Sequence, residues 1–93
     1  MAKMRYHDDQ EIRLGDRVAV EMMGTWPEAV VVMLGATLEH LEIEAKSLDW
    51  YKNMGGVHED DVVIQWLEGE EPMLGGYMST CLYNVVLKSR SGG

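Results

Sequence analysis

Phenylalanine is absent from this chain. A core built without it must draw on Val, Leu, Ile, Met, Trp and Tyr, and eight methionines are available for that purpose. Methionine adapts to irregular gaps, so such a core is less sharply specified than a phenylalanine-rich one. Cysteine occurs once, as Cys81, which excludes an internal disulfide and any cysteine-cluster metal site. Flanked by Thr80, Leu82 and Tyr83, it reads as a small buried apolar residue. A thiolate nucleophile needs a base and an orienting group. His7, His40 and His58 are all distant in sequence and lie in no catalytic motif, so the chain is read as non-enzymatic. No apolar run approaches the roughly 20 residues needed to cross a bilayer. Where a secretory leader needs an apolar stretch, His7-Asp8-Asp9-Gln10-Glu11 follows instead. The expected setting is cytoplasmic, with no membrane partner.

Basic residues are also scarce: eight Lys and Arg stand against sixteen Asp and Glu, for a net charge of −8. The imbalance is localised. Residues 39–71 hold Glu39, Glu42, Glu44, Asp49, Glu59, Asp60, Asp61, Glu68, Glu70 and Glu71 against Lys46 and Lys52, and the flanking segments cancel one another. Nucleic acid is excluded as a partner, because binding to phosphates is driven by Lys and Arg releasing counterions. A basic protein is the partner such a surface suits.

What is present reads as short strands. With 93 residues and 46% hydrophobic content, the chain is a single folded domain. Residues 1–10 form a polar lead-in with Tyr6 as its large apolar anchor, and 88–93 a polar tail. Ile12 and Leu14 share one face of an extended segment, and Val18 and Val20 share one face of the next. Between them Gly15 supplies backbone freedom, and Asp16 can bond its own backbone. Arg17 to Met23 read as a strand, which Gly24-Thr25-Trp26-Pro27 breaks. Ala29 to Leu34 is apolar at both parities, which predicts a central strand covered on both faces. Residues 38–46 fit both a helical stripe and an alternating strand, and are read as a long excursion containing some extended structure. Ser47 is the expected N-cap of one short helical turn, Leu48 to Asn53, stopped by Asn53-Met54-Gly55-Gly56. Val62, Ile64 and Trp66 alternate with Val63, Gln65 and Leu67. A turn over Glu68 to Pro72 is followed by a short bent strand, Leu74 to Ser79, and a last strand, Leu82 to Leu87. Val18, Val20, Val30, Val32, Ile64, Trp66, Val85 and Leu87 are expected to line one core. The predicted class is mainly β: a small SH3-like antiparallel barrel spanning 1–93.

The phrase running from Tyr6 through Glu11-Ile12-Arg13-Leu14-Gly15-Asp16-Arg17-Val18 carries a resemblance. So do the strand Val30 to Leu34, the pair Trp50-Tyr51, Gly56-Val57 before Val62 to Trp66, and the apolar pair Val85-Val86 ahead of Arg90. Together they resemble a group of small bacterial proteins with SH3-like barrels, some of which look like immunity proteins of toxin systems. The resemblance implies a binding role. His58-Glu59-Asp60-Asp61 and Pro72 to Thr80 are longer than that pattern.

Other chemistry finds little support. The runs Glu59-Asp60-Asp61 and Glu68-Gly69-Glu70-Glu71 lack the buried, perturbed carboxyl that acid–base catalysis needs. No loop places oxygen ligands at alternate positions around a glycine as Ca²⁺ requires. Gly55-Gly56 and Gly75-Gly76 lack the spacing and lysine of a phosphate loop. No cofactor and no metal is expected. The aromatics are more informative, because loop aromatics on small barrels grip peptides. Trp26 and Trp50 are the exposed candidates, with Tyr51 beside the second. The expected partner-binding set is Trp26, Trp50, Tyr51, Glu59, Asp60, Asp61, Glu68, Glu70 and Glu71. The function read from it is an acidic module that binds a basic protein, as an immunity or inhibitor protein does. The alternative is a structural barrel that forms a homodimer or stabilises an enzyme subunit.

Overall fold

The structure, a computed structural model, describes Arg5, Tyr6 and residues 10–89. The Asp8-Asp9 part of the lead-in and the end of the polar tail lie outside those residues. Five strands form one antiparallel sheet: β1 (Arg17–Val20), β2 (Glu28–Leu34), β3 (Asp61–Glu68), β4 (Glu71–Cys81) and β5 (Val85–Ser89). Their order is β4-β3-β2-β1-β5. The protein is thus mainly β, with one short helix, α1 (Ala45–Leu48), that continues as a π-helical turn over Asp49–Asn53. The sheet is not closed. Its edges are β4 and β5, and no pairing joins them among the described residues.

Strand β2 occupies the middle, as its two apolar faces require. Those faces serve two cores. Ala29 and Val31 pack with Val18, Val20, Val62, Ile64, Val85, Tyr6 and Ile12, while Trp66 and Leu87 are half-buried against them. Val32 and Met33 join Val63 on the reverse face. This corrects the expectation that Val30 and Val32 belong to the first core. The pairing Val31↔Ile64 is followed by Met33↔Val63, so Val32 is an inserted residue in a β-bulge. A bulge shifts the parity of everything beyond it, and Leu34 accordingly returns to the first core.

The Gly15-Asp16 turn stands where the sequence predicts it. Gly15 has φ 87°, open to glycine at little cost. The Asp16 N–H donates to Arg13 O at 3.1 Å, and its carboxylate accepts from Arg13 N at 3.0 Å and from the Tyr6 hydroxyl at 2.6 Å. Asp16 is buried, and the turn is tied to β2 because Gly15 N donates to Val31 O and Val31 N to Asp16 O. Tyr6 is therefore an anchor with a polar tip, fixing the lead-in to the first turn.

Residues 35–60 form an excursion that leaves β2 and rejoins the sheet at β3. It begins with a turn over 35–37, closed by Leu38 N donating to Leu34 O, and then runs extended: Leu41 N donates to Val32 O, and His40 bridges to Met33. It then turns helical from Ala45, two residues before the expected cap, so Ser47 lies inside the helix. Glu44 precedes the helix and makes no side-chain cap bond. Leu38, Ile43, Leu48, Tyr51 and Val57 from this excursion pack on the reverse-face core with Tyr77. Two other boundaries and one burial also differ from expectation. Strand β4 runs for 11 residues, bent where the register jumps from Gln65↔Tyr77 to Leu67↔Pro72 around Gly75. Leu82–Asn84 is a 3-10 turn, so the last strand starts at Val85. Cys81 is exposed, because Thr80 takes the inward position opposite Val62.

Candidate functional site

The six acidic residues of the expected contact set fall into two groups at opposite ends of β3. Asp61 opens that eight-residue strand and Glu68 closes it, so the two acidic runs are about 23 Å apart at the usual rise per residue. Glu59 and Asp60 are exposed in the turn before Asp61, with Asp60 N donating to His58 Nδ1 at 3.2 Å. Trp50 and Tyr51 sit on the π-helical turn of the excursion that rejoins the sheet at this same end. Trp50 is 52% exposed. Its ring lies so close over Gly56 that a Cβ there would stand 2.6 Å from Trp50 Cδ1. Tyr51 packs into the reverse-face core, and burial pushes its phenol pKa up.

At the other end Glu68, Glu70 and Glu71 are exposed on the β3–β4 hairpin. Glu70 Oε2 lies 2.9 Å from Arg17 Nη1, and Arg17 Nε lies 2.6 Å from Glu28 Oε1. The hydrogen bond and charge of Arg17 hold the Glu70 carboxyl below the usual carboxylate range, and Glu70 with Glu28 raises Arg17 in turn. Because the pair is solvated, it positions the hairpin more than it stabilises the fold. Trp26, 50% exposed, belongs to this end. The pairings Ala19↔Glu28 and Met22↔Thr25 set Trp26 opposite Glu21, and Ala29↔Trp66 brings the start of β2 beside the Glu68 end of β3.

Sequence reasoning missed several residues here. Met22 and Met23 are exposed at the β1–β2 tip, and Tyr83 on the 3-10 turn. The signal for the tip is Gly24, which readily takes the positive φ that a two-residue hairpin turn needs. An open groove of about 280 Å³ lies between Arg17, Val30, Leu67, Glu70 and Pro72. A second, of about 510 Å³, is bounded by Leu14, Leu38, His40 and Lys52. Among the described residues no three His, Cys, Asp or Glu side chains converge as a metal ion requires. Among them, too, no helix is long and apolar enough to cross a membrane. No protein-family model matches the chain, and no curated protein or solved structure shows significant similarity to it.

Proposed function

We propose that this chain is a non-enzymatic interaction module that binds a basic protein partner, with an immunity or inhibitor role as its specific form. The observation that carries the reading is Trp26: a half-exposed indole opposite Glu21, at the end of the sheet that also presents Glu28, Glu68, Glu70 and Glu71. Large aromatics inside a charged rim are the usual anchors of protein interfaces, and the rim supplies steering and register. An SH3-like barrel is the fold that goes with it. Supporting that reading are the first strand lying between the second and the last, the bulges that bend β2 and β4, and the 3-10 turn before β5. Glu59, Asp60 and Asp61 lie apart from the Trp26 end, at the other end of β3. The test is capture from a native lysate at two salt concentrations, followed by kinetics with the purified partner. A basic protein whose association slows with salt is the expected result, and binding that ignores ionic strength overturns the reading.

A second reading, self-assembly, is favoured by one observation. Among the described residues both edges of the sheet are unpaired, and Leu74 on the β4 edge is 96% exposed. Unpaired edges template pairing with another chain. Sedimentation across a range of protein and salt concentrations separates the two, since a salt-insensitive dimer supports assembly.

A further inference from the structure

The β1–β2 connection is a two-residue hairpin turn. Met22 and Thr25 exchange backbone hydrogen bonds at 2.8 and 3.0 Å, and Met23 and Gly24 at its tip have φ 51° and 88°. Both central positions of such a turn need positive φ, for which Asn, Asp and Gly are the ordinary choices. Methionine there is strained, since its side chain gains nothing from the left-handed region. Nor does packing explain it, because Met23 is 99% exposed. Single exposed apolar residues need no explanation. A strained one at the apex of a tip that also exposes Met22 and Trp26 does.

The tip is rigidly held. Thr25 Oγ1 donates to Met22 O at 2.7 Å, and Gly24 N to the Glu21 carboxylate at 3.1 Å. Val20 N donates to Pro27 O at 2.9 Å, and Glu21 N to Asn84 O at 2.8 Å, which ties the hairpin arm to the 3-10 turn. A group held this way loses little freedom on binding, which is where affinity is gained. Among the described residues the charges at this end of the sheet are nearly all of one sign. Glu21, Glu28, Glu68, Glu70 and Glu71 surround this end of the sheet, and the nearby cation Arg17 is bound by Glu28 and Glu70.

We infer that the β1–β2 tip is a preformed insertion element, with Met23 as the knob that enters an apolar pocket rimmed by Lys and Arg on a folded protein partner. Charge complementarity argues for that occupant over a second copy of this chain, whose own end would bring carboxylates against carboxylates. Methionine suits the role because its thioether adapts to pockets of irregular shape. The inference rests on the interaction reading above and names the contact within it.

The test uses the full chain in two forms, Met23→p-benzoylphenylalanine and Trp50→p-benzoylphenylalanine, each irradiated in native lysate and the adducts mapped by mass spectrometry. The expected result is a position-23 adduct to one protein, within an apolar pocket bordered by Lys or Arg. In the purified pair Met23→Asn should then weaken binding at least tenfold while raising Tm by about 2–8 °C through relief of strain. An adduct to a second copy of the chain overturns the inference. So does a lower Tm for Met23→Asn, which removes the strain argument. A basic partner that crosslinks only from position 50, with affinity unchanged by Met23→Asn, overturns the inference and leaves the interaction reading standing. No basic partner from either position overturns both.

Discussion

Gly35 should be irreplaceable for a reason its backbone angles do not reveal. It follows β2, is buried, and its N–H donates to Asp61 O at 2.9 Å. A Cβ added there would overlap the His58 carbonyl oxygen and stand 2.5 Å from Asp61 O and 3.1 Å from His58 C. All three atoms are backbone, and they belong to a turn closed by the hydrogen bond Asp61 N to His58 O at 3.0 Å. No rotamer change relieves the collision. The turn must retreat by more than about 1 Å to reach ordinary contact, dragging the start of β3, where Val62 pairs with Leu34 and Val63 with Met33. Overpacking of this kind costs about 1–3 kcal/mol, and loss of the Gly35–Asp61 bond adds about 0.5–1.5 kcal/mol. For Gly35→Ala a total of about 2–4 kcal/mol follows, which in a domain of this size lowers Tm by about 10–25 °C. Thermal melts followed by circular dichroism, with urea titrations beside them, measure it. Gly56→Ala is the control: the collision there is with the Trp50 indole, a half-exposed side chain that can swing aside, so the loss should stay under about 1 kcal/mol. A Gly35→Ala protein that melts within about 3 °C of the parent refutes the reasoning.

Tyr6→Phe deletes the buried hydroxyl that donates to Asp16, and should cost about 1–2 kcal/mol in urea unfolding. Gly15→Val forces a β-branched residue to φ 87°, and should cost about 1–3 kcal/mol; an unchanged Tm would show that the turn relaxes freely. The Glu70 carboxyl should titrate below the ordinary glutamate value of 4.5, and Arg17→Gln should return it upward, as carboxyl NMR can follow. Its folded pKa is the lower one, so the Arg17–Glu70 contact contributes at pH above the unfolded value and is lost as pH falls through the folded one. Loosening of the β3–β4 hairpin should therefore be seen only on the acid side.

Some of this was legible in the sequence and some was not, for physical reasons. The Gly15-Asp16 turn was readable because two alternating segments meet there. Strand β2 was readable as central because it is apolar throughout, and that same uniformity hid which residues face which core. Nothing in Val30-Val31-Val32 marks a bulge. The helix was readable at its end, where Gly55 has φ 74°, but not at its start, because Glu44 offers no side-chain cap to recognise. The acidic segment looked like one surface because Glu59 and Glu71 are near in sequence, whereas an extended strand carries them to opposite ends. Met23 gave no signal of its own, since methionine in a phenylalanine-free chain is the default core filler.

That separation has a consequence for binding. The screening length is about 8 Å at physiological salt and about 30 Å at 0.01 M. Ends roughly 23 Å apart are therefore electrically independent in the first condition and felt together in the second. A partner docking on the Trp26 end should respond accordingly. Glu68→Lys with Glu71→Lys should slow its association several-fold at low and at physiological salt, and this pair of reversals leaves the Arg17–Glu70 contact intact. Glu59→Lys with Asp60→Lys should slow association at 0.01 M salt and leave it unchanged near 0.15 M. Dissociation should hardly move in either variant, because exposed charges act mainly on encounter. Stopped-flow kinetics at the two salt concentrations decide the matter. Equal slowing by both variants at physiological salt would mean that the partner spans the whole length of β3. The reverse order would move the docking surface to Trp50 and the excursion.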